Sequence, residues 1–118
     1  MIETNHKGDG YFMIRQGDVL VMSAGSIPGD AQLVTRDQGR IVLAYGEVTG
    51  HAHAIAAPEA ELLESTRLNE RFLRVLAEGG VTLDHEEHST IVIPPGNYRV
   101  VRQREFDLAS GQVRVVAD

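Results

Sequence analysis

Four of the five histidines in this sequence fall into two close pairs, and such pairs can hold an ion together. A single alanine separates His51 from His53, and two glutamates separate His85 from His88. Imidazole nitrogen is a good ligand for Zn, Fe, Ni and Cu, and three or four such nitrogens form a common protein site. The sequence therefore predicts a metal site built from all four of these histidines, with a divalent transition metal, zinc above all, as its cofactor.

The spacing within each pair determines which backbone has to carry it. Residues i and i+2 of a strand share a face, so a strand through the first pair directs both imidazoles to one side. His85 and His88 become cross-strand partners if Glu86 and Glu87 form a two-residue hairpin loop, and they are also neighbours on one helical turn. Two glutamates are a poor choice for the positive-φ turns of such hairpins, so both backbones remain open.

Carboxylates beside the pairs add candidate ligands and bases. Glu47 is the favoured carboxylate ligand because the segment 46–50 leads directly into the first pair, while Asp84, Glu86 and Glu87 flank the second. If one position on the metal stays open, bound water becomes a nucleophile near neutral pH, and Glu86 or Glu87 is then the catalytic general base of a hydrolysis. If the protein fills every position, the metal is structural and stabilises a small core.

Two other interpretations of the histidines stand beside these. Isolated HxH and HxxH patterns also occur by chance on a solvated surface, and pairs that meet only at a subunit contact would make that contact pH-sensitive. The corresponding alternative function is a non-enzymatic, self-assembling homo-oligomer or cage subunit, because a small β domain has edge strands that self-association covers. A homo-oligomer is expected on the same grounds. Metal analysis and a mass measurement together distinguish these functions.

Frequent turn signals divide the chain into short segments, which favours a β-sandwich or barrel over βαβ units. We therefore expect a mainly-β domain with at most one short helix. The ambiguous stretch is 58–78, where strands at 61–64 and 72–76 compete with a short helix over 59–68. The other predicted strands are 11–15, 18–22, 31–36, 40–45, 51–57, 81–83, 91–93, 97–106 and 113–116.

Length and composition exclude several classes of protein. The 118 residues fit one domain, expected over 11–118 after a polar, flexible tail at 1–10. The sequence has no Cys, which removes disulfides and Cys-based zinc sites and fits a soluble, cytoplasmic protein. The net charge of -6 argues against nucleic-acid binding, and no apolar run is long enough for a membrane helix, so neither partner is expected.

Two stretches resemble the metal-site pattern of the cupin family. His51-Ala52-His53 matches the HxH start of that pattern, and Pro94-Pro95-Gly96 matches its later Pro-x-Gly turn. The chain departs from the family at 57–58, where the pattern places Glu, and at Arg99, where it places His. The resemblance implies a cupin-like topology and carries the family's ligand role onto His51 and His53 alone.

Three stretches also look like a small, uncharacterised bacterial family, and the likeness extends over nearly the whole chain. It implies a bacterial, cytoplasmic context and no particular activity. The stretches are Gly46-Glu47-Val48-Thr49-Gly50-His51-Ala52-His53, His85-Glu86-Glu87-His88 and Arg102-Gln103-Arg104-Glu105.

Overall fold

The chain folds into two antiparallel sheets, described by a computed structural model for the backbone of residues 2–4 and for residues 11–103. The prediction of a mainly-β domain is confirmed, and the two separate sheets make it a sandwich. The strands are β1 (Ile2–Thr4), β2 (Phe12–Gln16), β3 (Val19–Ser23), β4 (Gln32–Leu33), β5 (Ile41–Tyr45), β6 (Ala52–Ile55), β7 (Ala60–Ser65), β8 (Glu70–Val75), β9 (Val81–His85), β10 (His88–Ile93) and β11 (Gly96–Arg102).

The two sheets differ in size. The larger has seven strands in the order β1-β2-β3-β11-β8-β7-β4, and the smaller has four in the order β10-β9-β6-β5. Strand β6 therefore lies inside the smaller sheet, between β5 and β9, while β2 and β3 lie side by side in the larger one. Among the described residues, no helix has the length and apolar character needed to cross a membrane.

Apolar side chains from both sheets form one core between them. Val21 on β3 and Leu73 on β8 meet Leu43 on β5 and Leu83 on β9, and all four are fully buried. Burying one side chain of this size contributes about 1.5–3 kcal/mol. Because the chain has few aromatic residues, aliphatic packing of this kind is the main source of its stability.

The ambiguous stretch forms the hairpin of β7 and β8, so the alternative of a short helix over 59–68 is wrong. Leu62 pairs with Leu73 across this hairpin, and Leu63 pairs with Phe72 on the opposite face. All four of these side chains are buried. Apolar residues thus occupy both faces of the strands, which explains why the sequence shows no clean helical stripe here.

Three further predictions have different outcomes. The strand predicted over 31–36 shortens to Gln32–Leu33, and beyond it Arg36 donates its guanidinium hydrogen bonds to the carbonyl oxygens of Ala57 and Ala60. The last predicted strand, 113–116, lies outside the described residues. Within the segment predicted as a tail, Ile2–Thr4 pairs with β2.

Gly80→Ala should destabilise the domain. Gly80 has a φ of +85°, and a Cβ there would lie 2.6 Å from the carbonyl oxygen of Ile93. The strained backbone and this contact together should lower the free energy of unfolding by about 1–3 kcal/mol, measured by urea denaturation. Gly79→Ala is the matched control, since a Cβ at Gly79 meets nothing within 4 Å. Equal losses in the two variants would contradict this assignment of strain.

Candidate metal centre

The structure brings the four paired histidines together at one end of the sandwich. The ring centroid of His85 lies 4.3 Å from that of His53, 4.5 Å from that of His88 and 5.8 Å from that of His51. The rings of His53 and His88 stack with their centroids 5.7 Å apart. The two pairs therefore form one cluster, called here the histidine cluster.

An interior strand carries the first pair. All four residues of β6 are buried, and His53 on this strand is 3% exposed. His51 immediately precedes the strand, and its side chain is 24% exposed. The first pair therefore extends from the interior of the domain to its surface.

A hairpin carries the second pair. His85 at the end of β9 pairs directly with His88 at the start of β10, so Glu86 and Glu87 form the connecting loop. Neither glutamate adopts the left-handed backbone of the favoured two-residue turns, and the strand register instead shifts between His88 and Ile91. The hairpin alternative is correct, and an irregular ladder rather than a positive-φ turn accommodates the two glutamates.

The buried amide of Gln16 fixes the orientation of His53. Gln16 Nε2 donates hydrogen bonds to the carbonyl oxygens of Leu83 and Ser89, each at 2.9 Å. Its Oε1 must then be an acceptor, and it lies 2.8 Å from Nδ1 of His53. The neutral His53 ring therefore carries its proton on Nδ1 and a lone pair on Nε2. This is how second-shell groups prepare a histidine ligand.

The turn between β2 and β3 closes over the free side of His53. Asp18 Oδ1 lies 3.8 Å from His53 Nε2, and Asp18 Oδ2 accepts a hydrogen bond from Arg102 Nε at 3.0 Å. Gly17 has a φ of +59°, and a Cβ at this position would lie 3.0 Å from His88 Nε2. Glycine is therefore required here both by the backbone conformation and by the space beside the imidazoles.

A second group of donor atoms lies nearer the surface. His51, His85 and Glu86 each offer one ligand atom, and these three atoms lie within 4.8 Å of one another. Glu87 N–H donates to Nδ1 of His85 at 3.0 Å. A neutral His85 ring therefore carries its proton on Nε2, and an ion must displace either this hydrogen bond or this proton to bind.

Both glutamates predicted as catalytic bases have partners. Glu86 Oε1 accepts a hydrogen bond from the backbone N–H of Ala52 at 3.0 Å, and this bond lowers the pKa of Glu86. Glu87 Oε2 lies 3.2 Å from Nδ1 of His51, a contact that can orient this ring for binding through Nε2. Glu87 is thus placed to orient His51, and Glu86 is placed to ligate.

The other predicted carboxylates lie elsewhere. Glu47 is exposed in the turn between β5 and β6, and among the described residues it is not part of the compact donor group. Asp84 Oδ1 accepts a hydrogen bond from Thr90 Oγ1 at 2.9 Å. The carboxylates that the structure brings to the cluster are therefore those of Asp18, Glu86 and Glu87.

Burial and mutual repulsion keep the imidazoles of His53 and His85 neutral. Burial lowers the pKa of His53 to about 4, and the neighbouring His85 adds to this effect while Asp18 opposes it. Burial also lowers the pKa of His85, with His88 as the next cause. A neutral imidazole keeps the lone pair that a metal ion requires. At neutral pH these two rings are therefore in the protonation state that favours ligation.

Sequence reasoning missed Gln16, Gly17 and Asp18. Gln16 ends a strand in the other sheet, and the glycine and aspartate that follow are ordinary turn residues. Nothing local distinguishes them from the other turn signals of the chain. Only the packing of the two sheets brings them to the histidines.

The fold and site describe a small β-sandwich with a histidine-rich end. A family model for a domain of unknown function, DUF8820, matches residues 15–103, and the chain belongs to this family. The match includes the whole histidine cluster as well as the β2–β3 turn. No curated protein and no solved structure matches the chain. The expected uncharacterised family is confirmed, while the cupin-like topology and the bacterial origin stay predictions.

Metal-free protein should lose stability as the pH falls from about 6.5 towards about 4. Unfolded His53 takes up a proton near pH 6.5, whereas folded His53 does so near pH 4. Between these values the unfolded state binds more protons, so acid favours it, and above about 6.5 the contribution is fully present. Urea denaturation across this range measures the effect. His53→Gln should flatten the profile and His6→Gln should not, and an unchanged profile in His53→Gln would refute the assignment.

Proposed function

We propose that this domain binds a divalent transition metal, zinc above all, in the histidine cluster. The observation that carries this proposal is the convergence of four imidazoles from two separate parts of the chain onto one end of the sandwich. Nitrogen and carboxylate donors in this number suit Zn²⁺, which takes about four ligands at ~2.0–2.2 Å. The chain has no Cys to offer a competing thiolate site.

The hydrogen bonds around the cluster support the same function. A histidine that only packs in a core needs a partner for its ring proton, and Gln16 supplies one to His53. Gln16 leaves the opposite nitrogen, with its lone pair, directed at the Asp18 carboxylate. Glu87 lies beside Nδ1 of His51, just as Gln16 lies beside Nδ1 of His53. Outer partners of this kind typically change metal affinity by about 10–100-fold.

The exposure of the outer donors favours a reactive metal over a sealed structural one. Glu86 is exposed, and His51 and His85 are each half-buried. An ion bound there has room for a water molecule, which a divalent metal ionises near neutral pH. We therefore propose metal-assisted hydrolysis as the reaction class. Of the two candidate bases, Glu87 is the better one, because Glu86 belongs to the compact donor group and already accepts a hydrogen bond from the backbone N–H of Ala52.

Self-association is a second proposal, and the edges of the smaller sheet favour it. Strands β5 and β10 form these edges among the described strands. Each carries an exposed apolar side chain, with Tyr45 56% and Val92 54% exposed. Exposed apolar residues on edge strands are typical of surfaces that pair with a second copy. This proposal is independent of the metal and compatible with it.

Metal binding should follow the clustered histidines and not the fifth one. Untagged protein should contain zinc by elemental analysis, and chelator-treated protein should take it up again. His51→Gln and His85→Gln should each reduce the zinc content, whereas His6→Gln, the matched control, should not. Free zinc at about 100 times its Kd should raise the free energy of unfolding by about 2.7 kcal/mol in the His6→Gln protein. Zinc content that is unchanged in both cluster variants would refute the proposed function.

A further inference from the structure

We propose that two copies of this chain pair edge to edge through strand β10, in antiparallel orientation, with the Val92 residues of the two copies opposite each other. The two smaller sheets then form one continuous sheet, to which each copy contributes four strands. This inference rests on the proposed self-association and names the surface that carries it. It is independent of metal binding.

Side chains from the larger sheet already cap the β5 edge of the smaller sheet. Arg71 donates a hydrogen bond to the carbonyl oxygen of Leu43 at 2.6 Å, and Arg102 donates one to that of Tyr45 at 2.8 Å. The strand register between β5 and β6 is also irregular. An edge with occupied carbonyls and an irregular ladder is a poor template for another strand. Of the two edges of the smaller sheet, β10 is therefore the more open one.

Strand β10 carries few of the features that usually protect an edge. Its six residues, His88–Ile93, include no Lys, Arg, Asp or Glu. Charges and bulges are common means of preventing edge-to-edge pairing. The register shift of β10 and the hydrogen bond from Gln16 to the carbonyl oxygen of Ser89 both lie in the first half of the strand. The second half, Ile91–Ile93, is therefore a regular and uncharged edge.

The backbone of Val92 faces the open side of β10. A Cβ at Gly80 would lie 2.6 Å from the carbonyl oxygen of Ile93, so this carbonyl points to the β9 side. In an antiparallel pair, successive residues direct their N–H and C=O groups to alternate sides. The N–H and C=O of Val92 therefore point away from β9. Two copies related by a twofold axis can exchange both hydrogen bonds at this residue.

The side chains around Val92 suit a second copy of the same strand. Val92 is 54% exposed, and its cross-strand partner Thr82 is exposed beside it. The carboxylate of Asp84, further along β9, accepts a hydrogen bond from Thr90. Uncharged, β-branched side chains thus meet at the twofold axis, where they favour strand pairing.

The histidine cluster lies away from this contact. His88 precedes Val92 by four positions, which is about 14 Å along a strand that rises ~3.4 Å per residue. Antiparallel pairing places the clusters of the two copies on opposite sides of the axis. Neither copy therefore contributes ligands to the cluster of the other, and removal of metal should leave the dimer intact.

The first experiment is a mass measurement by light scattering on the full, untagged chain, with and without a chelator. Wild-type protein should have twice the 12.9 kDa mass of the chain in both conditions. Val92→Lys places two like charges opposite each other at the axis and should give the monomer mass. Val48→Lys is the matched control, because it adds the same charge at a valine 53% exposed in the β5–β6 turn, and it should stay dimeric.

A cross-link tests the register without adding charge. The sequence has no Cys, so Val92→Cys introduces a single thiol, and the Cα atoms of the two copies should lie about 5.5 Å apart, within disulfide range. Oxidised glutathione should convert this variant into a covalent dimer, whereas Val48→Cys should run as a monomer on a denaturing gel.

The possible outcomes separate this inference from the proposals on which it builds. A dimeric wild type whose Val92→Lys variant stays dimeric, or whose Val92→Cys variant does not cross-link, would overturn pairing through β10 and leave self-association intact. Wild-type protein of monomer mass would overturn self-association as well. Neither result changes the zinc content by which the metal proposal is judged.

Discussion

The side-chain amide of Gln16 lies inside the domain and connects the two sheets where the histidines meet. It is 1% exposed and belongs to the larger sheet, while its three hydrogen-bond partners belong to the smaller one. A buried amide without partners costs roughly 2–7 kcal/mol, so the amide, the β9–β10 hairpin and His53 have to keep their relative positions. The orientation of the deepest imidazole therefore depends on how the two sheets are docked.

Several unfavourable features are concentrated at this end of the molecule. The imidazoles are so crowded and buried that the pKa values of His53 and His85 are lowered. The turn at Gly17 has a left-handed backbone, and the Arg102–Asp18 pair is partly withdrawn from water. Hydrophobic residues of similar volume would avoid most of these costs. Local conflicts of this kind tend to mark functional positions, because a fold selected for stability alone has no reason to keep them.

Much of the site was visible in the sequence, and the remainder depends on tertiary contacts. The period of a strand places His51 and His53 on one side, and a two-residue loop places His85 opposite His88. The arrangement within each pair therefore follows from local sequence alone. The β class likewise follows from the turn signals. The hairpin of β7 and β8 was harder to recognise, because apolar residues on both of its faces hide the period of two.

The missing part of the site came from the other sheet. Gln16 and Asp18 precede His53 by more than thirty positions, and no local period specifies which turn will lie over which strand. Glu47 illustrates the converse case. It is close to the first pair in sequence, yet an exposed turn carries it outside the compact donor group. Proximity along the chain was a useful guide within an element and a poor one between elements.

The distribution of donors over the two sheets has a consequence for the order of folding. The strand pairing within the His85–His88 hairpin is local and can form in about 1–10 μs, whereas the approach of Asp18 to His53 requires long-range strand pairing and is slower. Under the proposed function, an ion present during folding would first meet the two short pairs, which also exist in the unfolded chain. Gln16 orients His53 only when the sheets dock, so the ion would act late and would stabilise a nearly finished structure.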